Sequence, residues 1–127
     1  MRGIIEVNLK NLAENFEFFR KKLPQNVLIA AVVKTNAYGH GLKEVVVALR
    51  EKADYFIVAT FEEALLTREY AEKPVLCLSP LRGEEIVIAA FKNIDVILSS
   101  EQDVNEIIYR TENMRIPIHV HMCVDTG

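Results

Sequence analysis

Five short apolar runs alternate with segments of helical spacing, and this alternation constrains the chain more than any other feature. The runs cover residues 27–33, 55–59, 75–78, 95–98 and 116–124. Before the first run, Leu9, Leu12, Phe16, Phe19 and Leu23 recur three and four apart, as on one face of a helix. Asn8 or Asn11 is placed to cap that helix, and Pro24 to end it. Leu42, Val45, Val46 and Leu49 form a second such face. Thr60 with Glu63, and Ser100 with Asp103, have capping-box spacing and predict two more helix starts, carrying Ala64 and Leu65 inward in one case and Val104, Ile107 and Ile108 in the other. Residues 84–91 present Ile86, Ala89 and Ala90 on one side. Strands of four to eight residues separated by helices of about ten predict right-handed βαβ units and a parallel sheet. Two architectures satisfy that pattern, an open doubly wound sheet and a (β/α)8 barrel. Both place functional residues at the carboxyl ends of the strands.

Composition narrows the partners. The chain has 127 residues, enough for one domain with a real core, and carries a formal net charge of −3. Without a basic cluster it lacks the electrostatic footprint of a nucleic-acid binder. No apolar stretch approaches the roughly 20 residues of a membrane span. The opening Met1-Arg2-Gly3-Ile4-Ile5-Glu6 reaches a charge too early for a secretory signal. Cys77 and Cys123 lie in apolar runs with no CxxC spacing, so buried free thiols in a cytoplasmic protein are expected.

The first run ends on a lysine. Lys34 follows residues 27–33, and Tyr38 lies four residues on, in a turn that carries Gly39 and Gly41 around His40. From strand position alone, Lys34 reads as a lysine whose stem packs while its ammonium reaches water. A lysine at the mouth of an apolar pocket has its ammonium form disfavoured, which frees the lone pair to attack a carbonyl. A phenol and glycine N–H groups near a helix start suit a phosphate. Lysine for an aldehyde and tyrosine for a phosphate together suggest pyridoxal 5′-phosphate (PLP), although such pairs are common and the chemistry alone leaves both readings open.

The run Ala31-Val32-Val33-Lys34-Thr35-Asn36-Ala37-Tyr38-Gly39-His40-Gly41 resembles the cofactor-lysine signature of the alanine racemases. Glu6-Val7-Asn8-Leu9 resembles that family's N-terminal opening, Ala59-Thr60-Phe61-Glu62-Glu63-Ala64 its second strand-to-helix passage, and Val124-Asp125-Thr126-Gly127 its strand-end Asp-Thr-Gly. The resemblance implies a fold-type-III, PLP-dependent racemase interconverting L- and D-alanine for peptidoglycan supply. It implies an α/β fold in which residues 1–127 form about the first five βα units, with parallel strands, of the PLP-binding (β/α)8 TIM barrel. Lys34 would be the Schiff-base lysine and a catalytic base, and Tyr38 would bind the cofactor phosphate. The base for the opposite face would come from the other subunit of a homodimer, and no residue of this chain matches it. A complete barrel takes about 250 residues, so the later strands and the C-terminal β domain are expected to be absent and the 127 residues inactive alone. Cys123 stands where many members carry a lysine that supports an arginine, which puts that support in doubt. A racemase of serine or another amino acid, a non-catalytic PLP-binding barrel and an inert scaffold fragment are the alternatives.

His119, His121 and Cys123 alternate and so share one strand face. Ligands two apart on one strand diverge too far to close a tetrahedral site, so hydrogen-bonded strand residues are expected rather than a metal centre. Glu62 and Glu63 read as first-turn helix residues favoured by the dipole. Asp125 ends the fifth run without a carboxylate partner.

Overall fold

A computed structural model describes residues 3–127. Met1 and Arg2, on which the reading of the N-terminus partly rests, lie outside the described residues. The elements follow one another as α1 (Leu9–Lys22), β1 (Ala30–Val32), α2 (Lys34–Tyr38), α3 (Leu42–Leu49), β2 (Tyr55–Val58), α4 (Phe61–Tyr70), β3 (Val75–Cys77), α5 (Glu84–Lys92), β4 (Ile94–Leu98), α6 (Glu101–Thr111) and β5 (Val120–Met122). All five strands are parallel, in the order β1-β2-β3-β4-β5. Every strand pairs with its neighbour in sequence, so the order never reverses as it does in a doubly wound sheet. This progression is that of a barrel wall, and it decides between the two architectures.

The two faces of the wall differ sharply. Residues that alternate toward the helices are nearly inaccessible: Phe56, Val58, Val75, Cys77 and Val96 are fully buried and Ile94 almost so. Ala64 on α4 and Ile86 and Ala89 on α5 close over them. One apolar layer between sheet and helices is the core. On the other face Val32 at the edge is 43% exposed, whereas Leu76 and Asp95 at the centre stay buried.

Local chemistry explains most boundaries. The Asn8 carboxamide accepts from Asn11 N at 3.0 Å, so Asn8 is the cap of α1, and Lys21 and Lys22 close its last turn beside the negative end of the dipole. Both capping boxes form, Thr60 with Glu63 and Ser100 with Asp103. The first strand is shorter than the apolar run 27–33. Ile29 N donates instead to the Asp54 carboxylate at 2.8 Å, and Arg20 donates to Val27 O and to Asp54. Those side chains claim the backbone that a longer strand would have paired. The fifth strand shrinks from 116–124 to Val120–Met122, the residues in register with Val96, Ile97 and Leu98 of β4.

Some inward assignments do not hold. Phe19 and Leu23 are exposed, because α1 packs on the core only through Leu9, Leu12, Ala13 and Phe16. Val104 and Ile108 are exposed too, with Ile107 carrying the contact of α6. Cys77 is buried as expected and its thiol is pushed up by burial, but Cys123 is exposed beyond the end of β5. Edge position overrides the apolar surroundings that Cys123 has in sequence.

Candidate functional site

Lys34 sits at the carboxyl end of β1, one residue past the last ladder bond, which runs from Val33 N to Ile57 O at 2.8 Å. It is half-buried, and no carboxylate among the described residues lies within ion-pair distance of its ammonium. The segment after it is not the simple glycine turn that the sequence suggests. Thr35, Asn36, Ala37 and Tyr38 all have φ between 53° and 55°, a complete left-handed turn made of non-glycine residues. Each such residue brings its Cβ against the following carbonyl, at a cost of roughly 1–2 kcal/mol.

The turn is held by its surroundings. Ala37 N donates to Val33 O at 2.8 Å, and Gly41 N donates to Asn36 O at 3.0 Å. The Asn36 carboxamide oxygen accepts from Leu42 N at 2.8 Å, capping α3, whose own N-cap residue Gly41 has no side chain. Ala37 is buried against the core while Tyr38 is 61% exposed. The turn thus anchors one residue and presents the next. Gly39 N is also bonded within the turn, to Thr35 O and Asn36 O. The glycine amides are therefore occupied locally, which corrects the expectation that they face a phosphate; of that pair of suggestions the Tyr38 phenol remains available.

A substitution tests the turn. Thr35 is exposed and β-branched at φ 54°, the least favourable combination in it. Thr35→Gly removes the Cβ clash and is expected to raise stability by about 0.5 kcal/mol after glycine's larger unfolded-state entropy is subtracted. A shifted urea midpoint measures this, and a fall in the midpoint would contradict the left-handed assignment.

Facing the barrel interior is a second polar cluster. Asp95, 3% exposed, accepts from the Tyr55 hydroxyl, and its Oδ2 lies 2.9 Å from His121 Nε2. Its other oxygen lies 3.6 Å from His119 Nδ1 and has no hydrogen-bond partner among the described residues. Both histidines thus face one carboxylate, His121 within hydrogen-bond distance, and no group of three metal-ligating side chains forms among the described residues. Asp125 is exposed at the sheet's end, where its carboxylate accepts from Gly127 N at 2.9 Å. Sequence reasoning passes over Asp95 and Tyr55. An acid inside the otherwise apolar run 94–98 is the available signal.

The third feature is Glu63. Its Oε2 accepts from Ala59 N at 3.0 Å and Thr60 N at 3.4 Å, closing the capping box, and its Oε1 accepts from Asn36 N at 3.2 Å. One carboxylate bridges the end of β2 and the left-handed turn after Lys34. The strand ends therefore bring together an amine free of a carboxylate, an exposed phenol four residues on and a clamp that joins two βα units. Such a set can capture a carbonyl and hold a phosphate beside it.

Comparison with known proteins agrees over the same residues. The family described as alanine racemase, N-terminal domain, matches residues 7–127. The alanine racemase of Listeria monocytogenes serotype 4b (strain F2365) is 36% identical over 126 residues, which cover 97% of this chain and 33% of that protein. That of Haemophilus influenzae is 36% identical over 118 residues, 91% of this chain and 32% of the relative. The chain spans about a third of the length of these relatives. Among solved structures, alanine racemase from E. faecalis superposes with a TM-score of 0.89 at 29% identity, covering 95% of this chain and 33% of the other. The enzyme from Bacillus anthracis with bound L-Ala-P gives a TM-score of 0.83 at 30% identity, covering 94% and 31%. With five parallel strands in barrel order and a family match over 7–127, the chain belongs to the alanine racemase family and matches the N-terminal part of its barrel.

Proposed function

We propose that this chain supplies the cofactor-holding part of a PLP-dependent racemase that interconverts L- and D-alanine, and that Lys34 and Tyr38 hold the cofactor. The observation that carries the reading is the placement of Lys34. It stands at the carboxyl end of a barrel strand, half-buried and free of a carboxylate, followed by a turn that leaves the Tyr38 phenol outside. The residues fit PLP in the chemistry they offer: an amine able to react with an aldehyde, and a phenolic O–H able to donate to a phosphate. Bound PLP supplies an electron-withdrawing ring that takes up the charge left when an amino acid loses its α-proton.

Lys34 Nζ would hold the cofactor through its aldehyde and would serve as the base on one face of the α-carbon. Tyr38 would donate its phenolic O–H to the cofactor's phosphate. Inversion also needs a proton donor on the opposite face, which we assign to the other subunit rather than to any of the described residues. We therefore assign the whole reaction to a homodimer that includes residues beyond these, and expect no racemisation from the 127 residues alone. A supply of D-alanine for cell-wall precursors, in the cytoplasm, is the role this reading implies.

The test is chemical. The purified chain is mixed with PLP, reduced with borohydride, digested and mapped by mass spectrometry. The label is expected on the peptide containing Lys34 and is expected to vanish in Lys34→Ala. Tyr38→Phe is expected to slow labelling by PLP more than labelling by pyridoxal, which has no phosphate. Label spread over several lysines, or kept in Lys34→Ala, contradicts the assignment.

A further inference from the structure

We infer that Glu63 is a positioning residue for the cofactor lysine: its carboxylate clamps the left-handed turn and so sets where Lys34 and Tyr38 lie. The inference rests on the assignment of Lys34 and Tyr38 to PLP and goes beyond it, since Glu63 touches neither side chain.

Four consecutive non-glycine residues in the left-handed region do not persist unless their surroundings over-determine them. Most of the bonds described for this turn are local, joining residues 33 to 42 to one another. They define its shape but do not fix it relative to the rest of the barrel wall. Two bonds do. The ladder bond Val33 N to Ile57 O fixes its entry, and the bond from Asn36 N to Glu63 Oε1 fixes its middle, halfway between Lys34 and Tyr38.

Glu63 is itself firmly placed. It is the third residue of α4, half-buried, and its Oε2 is tied to Ala59 N and Thr60 N at the end of β2. The carboxylate accepts from three backbone N–H groups and meets no lysine or arginine among the described residues. A charged acceptor makes stronger hydrogen bonds to N–H donors than a neutral one does. The second strand-end thus locates the first.

This separates two duties that one side chain performs. A capping box is served by glutamate or glutamine alike. The bridge to Asn36 is not, because a glutamine has one acceptor oxygen and one NH2 group. With two N–H groups aimed at the Oε2 position, the oxygen of Glu63→Gln settles there, and its NH2 then opposes the Asn36 N–H. Glu63→Gln keeps the cap and loses the clamp, whereas Glu63→Ala loses both.

The experiment measures the rate of borohydride-trapped PLP label on Lys34, the melting temperature, and hydrogen exchange at the 34–39 amides in the wild-type chain, Glu63→Gln and Glu63→Ala. For Glu63→Gln we expect a melting temperature lowered less than in Glu63→Ala, faster exchange at Asn36, and labelling slowed about fivefold, the factor for one lost hydrogen bond. Glu63→Ala is expected to label as slowly and to melt lower as well. A smaller fall in melting temperature with the full labelling loss in the glutamine variant is what a purely structural cap would not produce. Labelling and exchange in Glu63→Gln equal to the wild type overturn the inference. So does a labelling loss that scales with the fall in melting temperature from one variant to the other. If the wild-type chain takes no label at Lys34, the cofactor assignment fails and this inference with it, a result recognisable before any variant is compared.

Discussion

Phe56→Ala is expected to destabilise the chain by about 3–5 kcal/mol, the range for truncating a fully buried aromatic ring. Phe56 is 0% exposed in the middle of the layer between β2 and the helices, beside Val58, Ala64 and Val75, all likewise inaccessible. Its removal costs the transfer energy of the ring and leaves a cavity that a parallel strand, fixed on both sides to β1 and β3, cannot collapse to fill. Total stabilities of small domains are about 5–15 kcal/mol, so this one substitution takes a large share. Val32→Ala on the opposite face is the control. At 43% exposure on the edge strand it should cost less than about 1 kcal/mol. Guanidinium unfolding of both variants measures the asymmetry. Equal losses would mean that the interior face of the wall is as well packed as the helix face.

That asymmetry also shows what can be read in the sequence. Apolar runs predict all five strands, and the two capping boxes form as their spacing requires, because both signals are local and the interactions they report lie within four residues. The shortening of β1 and β5 is not legible. It depends on Asp54 and Arg20 meeting Ile29 and Val27 across the chain, and on the register in which β5 meets β4. Exposure of Phe19, Leu23 and Cys123 is hidden for a related reason: periodicity shows which face is apolar, but not whether a neighbour covers it.

At the candidate site the balance is similar. Lys34 and Tyr38 stand out through their spacing and through a long motif. The left-handed turn between them does not, since Thr35-Asn36-Ala37 carries no glycine and the bonds that enforce the conformation come partly from Glu63, 27 positions away. Glu63 itself is visible only as a helix cap. The sequence pattern identifies one duty of a side chain, and a second duty across the fold leaves no local mark. Asp95 illustrates the converse, because a carboxylate in a buried run must have partners, and they prove to be Tyr55 and His121.

Asp103→Ala is expected to cost about 1–3 kcal/mol, because it removes one buried acceptor that serves several part-buried donors at once. The Asp103 side chain is 2% exposed. It accepts from Ser99 N, Ser99 Oγ and Ser100 N, each at 2.9 Å, and from Arg82 Nη2 at 2.6 Å. The Ser99 N–H is the foremost of the groups that hold its carboxyl well below the usual carboxylate range, followed by the Arg82 guanidinium and the two serine side chains, and together they outweigh the opposing effect of burial. Arg82 is itself 48% exposed, so its ion pair is screened and contributes less than the backbone donors. The folded chain binds this proton more weakly than the unfolded chain, so the stabilisation is complete above the unfolded value of about 4 and is lost as pH falls below it. Asp103→Asn has no such titration, and its NH2 opposes N–H donors. The stability difference between wild type and Asp103→Asn should therefore be constant from about pH 6 to 8 and shrink below about pH 4. Urea midpoints across that range measure it. A difference that stays constant down to about pH 3 would mean that the buried carboxylate is not the group these donors hold in its charged form.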